Sequence, residues 1–102
     1  MDMYQELVKS FQETPRDVHT VPQRGQYIWF HVSVEQGSLV VEPAHINKPS
    51  SNVRRRKLQK KDVSAMLELY HRRQRGEQIS AEATATSVSQ VYWYGIFADM
   101  NW

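Results

Sequence analysis

Four histidines, eleven carboxylates and thirteen Lys or Arg are the groups in this chain of 102 residues with which chemistry could begin. The histidines are His19, His31, His45 and His71. No two stand at an i, i+4 spacing that would bring both onto one metal, so each reads as a lone surface histidine. Asp17 lies close to His19, and Glu42 close to His45. Glu42, at the end of a strand, would suit a metal-dependent hydrolase if Asp17 or Glu35 joined it. No lysine follows Glu42 in the pattern that completes such a site. Neither Gly-x-Ser-x-Gly nor Gly-x-x-x-x-Gly-Lys occurs, and four glycines are too few for a phosphate-cradling loop. The absence of cysteine removes a thiol nucleophile, a thiolate metal site and a disulfide scaffold. The sequence therefore assigns no catalytic residue, no metal and no cofactor, and the chain reads as a binding protein rather than an enzyme.

The charge carries the functional lead. Net charge is only +2, but it is unevenly spread. Residues 48–76 hold ten Lys and Arg against Asp62 and Glu68, a local charge of +8, and the flanks are each acidic at −3. A field of that sign attracts polyanions. Arg54, Arg55, Arg56, Lys57, Lys60 and Lys61 form the dense part, and Arg72, Arg73 and Arg75 extend it. The competing readings are a solvated loop with the outer face of a helix, or a site for an acidic protein.

These residues must be held by secondary structure. Residues 2–12 read as a helix, with Tyr4, Leu7, Val8 and Phe11 on one stripe, Asp2 as cap and Pro15 as stop. Residues 18–21 suit a short edge strand. Residues 27–34 alternate clearly, with Ile28, Phe30, Val32 and Val34 on one face and Tyr27, Trp29, His31 and Ser33 on the other. Gln36-Gly37 is a turn, and 38–42 form a second strand ended by Pro43. A lone hairpin is marginal in water, so a further strand, a helix or a partner must complete the sheet. Residues 44–61 read as an irregular connection, with a short strand at Val53. Residues 62–75 form a helix capped by Asp62, with Val63, Met66, Leu67 and Tyr70 buried and Gly76 after its end. A short helix follows from Ser80 within 79–87. Ser87-Val88-Ser89-Gln90 resembles a capping box, and 91–100 favour a helix, although Val91-Tyr92-Trp93-Tyr94 would also suit a strand.

Residues 66–94 resemble a helix-turn-helix: Gly76 closes a long helix, Ile79 and Ala83 point inward from a short one, and Val88 and Ser89 form the turn and cap. The pattern departs in two places. Ser87 stands where glycine is usual, and the final helix is aromatic, leaving Gln90 and Tyr92 as the residues able to read base edges. A plain core helix hairpin fits the same residues. The wider layout is similar to small bacterial proteins of phage and mobile-element type, a resemblance that implies a context and no activity.

The expected fold is α+β, one domain over 1–102. A small antiparallel sheet (hairpin 27–42 plus at least one more strand) packs with an N-terminal helix and two or three C-terminal helices. The expected function is a small nucleic-acid-binding or regulatory protein whose basic residues touch phosphates of DNA or RNA. Tyr27, Trp29 and His31 are candidates for stacking on unpaired bases, or for a second core layer against a helix. The alternative is a protein–protein adaptor or inhibitor, including a homodimer, using an open sheet edge and the aromatic tail that ends at Trp102. No apolar run approaches the ~20 residues of a membrane helix. The start Met1-Asp2-Met3-Tyr4 does not resemble a secretory signal, so a cytoplasmic location is expected.

Overall fold

The computed structural model describes residues 2–48, 52–87 and 89–102. Helix α1, Met3–Glu13, opens with the Asp2 carboxylate accepting from the Gln5 amide at 2.8 Å and buries Tyr4, Leu7, Val8 and Phe11. Four strands follow: β1 Arg16–His19, β2 Trp29–Glu35, β3 Ser38–Pro43 and β4 Arg56–Leu58. They form one antiparallel sheet in the order β1-β2-β3-β4. Gln36 and Gly37 take φ of 51° and 78°. Two successive positive φ values make the tight hairpin turn whose twist matches its strands.

The alternation of β2 decides which face is buried. Phe30 and Val32 are fully enclosed and join Val18, Leu39, Val41 and Leu58 in the core. Over them lie α1 and the C-terminal helices α2 (Val63–Gln74), α3 (Ser80–Thr86) and α4 (Gln90–Asp99). Helix α4 is the centre of that layer. Residues 92–97 are all buried, which is possible because the helix is apolar around its whole circumference. Its Gly95 meets β1, where a Cβ would come within 2.6 Å of the His19 carbonyl oxygen.

The architecture is α+β as expected, with differences in detail. The first strand begins at Arg16 rather than 18, and the last lies at 56–58 rather than at Val53. Part of the basic run is therefore strand, because Leu58 can pair opposite Leu39 with both side chains in the core. Asp62 caps α2 by position only. A 3-10 turn over Lys60–Asp62 leads directly into the helix, and its side chain makes no capping bond. Leu69, rather than Leu67, completes the buried stripe of α2. Ser89 caps α4 by position but makes no side-chain capping bond, and its amide donates to the Ser87 hydroxyl at 3.1 Å. Pro49, Ser50 and Ser51 of the irregular connection, and Val88 of the expected turn, lie outside the described residues. Among the described residues no helix is long and apolar enough to cross a membrane.

Candidate nucleic-acid interface

Strand β4 is an edge strand, paired with β3 on one side only. Beside it, facing the α3–α4 turn, runs a cleft of about 520 Å³. One wall is Arg54, Arg55, Arg56, Lys57 and Lys61, and the other is Thr86, Ser87, Ser89 and Trp93. Asp62 is the one carboxylate among the described lining residues. Arg54, Lys57 and Lys61 are exposed, and no ion pair among the described residues engages them. Arg55 pairs with Glu35 across the sheet edge.

Arg56 behaves differently from its neighbours. The strand pleat turns it inward with Leu58, opposite Val41. Its guanidinium sits 5.6 Å over the Tyr92 ring and donates to the Ser89 hydroxyl at 3.3 Å. That places a cation beside the N-terminus of α4, where the helix dipole is already positive. Among the described residues, the Nε of Arg56 and the Nε1 of Trp93 are both buried and find no hydrogen-bond partner.

No family model, curated protein or solved structure matches this chain. The candidate site accordingly rests on the geometry alone, and the geometry divides the residues the sequence proposed. Arg54, Arg55, Arg56, Lys57 and Lys61 share the cleft. Lys60 turns away to Asp2 at 3.2 Å. Arg72 is clasped by Glu77 at 2.9 Å and by both oxygens of Glu82 at 2.8 and 2.9 Å. Its hydrogen bonds to Glu82 and then Glu77 hold its charge firmly, raising its pKa above the usual arginine value. Arg75 joins Glu77 at 3.2 Å. Arg73 lies over the Tyr94 ring and donates to the Val21 carbonyl at 2.5 Å. The second half of the basic segment is thus spent on holding α2 to its neighbours.

The expectation that Tyr92 could read a base edge is corrected. Tyr92 is buried against Phe30, with ring centroids 5.0 Å apart, so it does not present an edge to a base. Gln90 is half-buried and donates to the Thr84 hydroxyl at 3.1 Å. Aromatic residues fill four of the first eight positions of α4 because that helix is the core.

The stacking candidates also separate. Tyr27 precedes β2 and is exposed, packing with His19 and Trp29. His31 is buried, lying flat against the His45 ring at 3.5 Å. A histidine from the β3–β4 connection, rather than a helix, therefore covers that position. The four histidines are not lone. His31 Nδ1 donates to Asp17 at 2.9 Å, His45 Nε2 to Glu42 at 3.1 Å, His71 to the Trp102 carbonyl at 2.9 Å, and His19 to the Thr20 carbonyl at 2.8 Å.

Asp17 organises that outer face. Its carboxylate also accepts from the amides of His45, Ile46 and Asn47 at 3.0, 2.8 and 2.8 Å and from the Asn47 side chain at 3.2 Å. Burial opposes its charge, but the amides of Asn47 and His45, then His31, outweigh it and hold the carboxyl far below the usual range. This cluster anchors the connection across the sheet. Among the described residues no group of three or more His, Asp or Glu could hold a metal ion.

Sequence reasoning missed Thr86, Ser87, Ser89 and Trp93 as cleft residues. They stand about thirty positions after the basic run. The polar stretch ahead of the aromatic helix is the only trace of them in the sequence.

Proposed function

We propose that this protein binds nucleic acid through phosphate contacts along the β4 edge. The observation that carries the reading is the cleft itself, which gathers five cations against one carboxylate. Arg54, Lys57 and Lys61, exposed and free of ion pairs among the described residues, would neutralise phosphates without choosing a sequence. Arg72, Arg73 and Arg75 do not enter this reading, because acids and carbonyls already engage them. Tyr27 lies on the β1–β2 side of the sheet and does not enter it either.

The test is fluorescence anisotropy of a labelled duplex, single strand and RNA, repeated across salt. Micromolar or tighter binding is expected to weaken by about 0.9 logarithmic units per tenfold rise in salt for each phosphate neutralised on a duplex. Reversal of Arg54, Lys57 and Lys61 to Glu should flatten that slope. Absence of binding to all three probes at low salt overturns the reading.

A further inference from the structure

The cleft beside β4 has two walls, and the exposed cations stand on only one of them. The other is the α3–α4 turn, with Thr86, Ser87 and Ser89. The Ser87 hydroxyl accepts from the Ser89 amide at 3.1 Å, and no bond among the described residues takes up its own proton. Thr86 donates to the Glu82 carbonyl at 2.8 Å, so it bounds the cleft by shape. The space between the walls is about 520 Å³. A duplex, whose major groove alone is about 12 Å wide, is too broad to enter a space of that size. It can rest on the exposed cations, whereas a single sugar-phosphate backbone is narrow enough to lie between the walls. No helix at this site is offered to a groove either. Tyr92 packs on Phe30 and Gln90 is held by Thr84, so the turn that resembles a helix-turn-helix serves here as a wall.

We infer that the cleft selects single-stranded nucleic acid over duplex, holding one backbone between Arg54, Lys57 and Lys61 on one side and the Ser87 hydroxyl on the other. This inference rests on the nucleic-acid reading and deepens it. Charge alone gives the opposite order. A duplex presents phosphates from two strands, and its salt slope is about −0.9 per neutralised phosphate against about −0.7 for a single strand. A preference for the single strand therefore has to come from the second wall. Phosphate oxygens only accept, so cations and a hydroxyl on opposite walls can hold one backbone from both sides. The lining offers no open aromatic face, since Trp93 is fully buried. The strand is then held by its backbone with its bases turned outward, and base composition should matter little.

The experiment titrates a labelled strand of about 12 nucleotides without self-pairing, a length within the site sizes of single-strand binders, and the same strand annealed to its complement. Both are measured at one salt concentration. The expected result is about tenfold tighter binding of the single strand, the worth of one hydrogen bond to a charged group. Ser87→Ala removes that bond, and Thr86→Leu narrows the cleft from the α3 side. Each should bring the single strand down toward the duplex while the duplex binds as before, with folding verified by circular dichroism. Tyr27→Ala tests the other source of such a preference, stacking of bases on the β1–β2 side of the sheet. The preference should survive it. Duplex binding equal to or tighter than the single strand overturns the selection and leaves phosphate binding at the β4 edge standing. A preference that persists undiminished in both wall variants, or that disappears in Tyr27→Ala, also overturns it, because the strand is then recognised elsewhere. Failure of both probes to bind even at low salt removes both readings.

Discussion

The Tyr4 hydroxyl donates to the Leu58 carbonyl at 2.8 Å, joining the first helix to the last strand across 54 residues. The same oxygen accepts from the Leu39 amide at 3.0 Å, so it sits between β3 and β4 where Leu39 and Leu58 face each other. The strand that carries the basic rim is only three residues long. Its position therefore depends on this one phenol as well as on the ladder. Tyr4→Phe leaves an enclosed carbonyl and an enclosed amide without a partner. It should cost about 2–3 kcal/mol of stability, read as a lower urea midpoint with an unchanged slope. It should also weaken oligonucleotide binding, because β4 loses its anchor. A loss below about 0.5 kcal/mol would show that water or the ladder replaces the hydroxyl.

Gly95 marks a close approach that no side chain can share. A Cβ there would stand 2.6 Å from the His19 carbonyl oxygen and 3.1 Å from the Phe30 ring. The first neighbour is backbone and the second is a fully buried side chain, so neither yields easily. In an exposed helix, Gly→Ala would stabilise by up to about 1 kcal/mol. Here Gly95→Ala should instead destabilise by about 1–3 kcal/mol, since overpacking outweighs propensity. Thermal unfolding of the variant reads the sign directly, and a raised midpoint would contradict the packing of α4 against β1.

The same glycine shows what was legible in the sequence and what was not. The i, i+3, i+4, i+7 stripe of α1 and the alternation of β2 are local patterns, and both elements form where those patterns stand. Gly95 reads locally as a weakness in a helix, and its reason lies across the chain in β1. Asp62 and Ser89 have the right type for caps, yet neither side chain makes the bond, because a 3-10 turn and the Ser87 hydroxyl shape those entries instead. The basic run was visible as charge. Its division was not, because whether an arginine is free depends on acids such as Glu35 and Glu82 that stand ten or more residues away. The Asp17–His31 contact and the His45 stack are likewise products of strand register and of a long connection folding back.

Asp17 should make the protein sensitive to acid. Its side chain is 4% exposed, and its carboxyl titrates well below the unfolded value of about 3.9. The native state therefore holds fewer protons than the unfolded chain. The stability from this group is complete above the unfolded value and is lost as pH falls toward the folded one. Asp2, Glu77 and Glu82 are shifted in the same direction, the first chiefly by the Gln5 amide and the others chiefly by Arg72. Asp17→Asn isolates the buried group. It should cost about 3 kcal/mol near neutral pH, since the anion that faces three amides and His31 is gone. Between about pH 5 and about pH 3 the wild-type protein should lose stability faster than the variant, so that the two urea midpoints converge. Parallel curves would show that Asp17 is not the group responsible.

Arg72 offers the complementary control on the proposed binding surface. It looks by sequence like part of a continuous basic track, but its guanidinium is clasped by Glu77 and Glu82 and lies on α2, outside the described lining of the β4 cleft. Neutralising it should slightly lower thermal stability, because the pairs holding α2 to α3 are exposed and exposed pairs contribute little. Arg72→Gln should leave both oligonucleotide affinity and its salt slope unchanged. Arg54→Gln, on the cleft wall, removes one phosphate contact and should reduce the slope on a duplex by about 0.9. Equal effects of the two substitutions would mean that binding follows overall charge rather than the cleft, and the assignment of the β4 edge would fail with it.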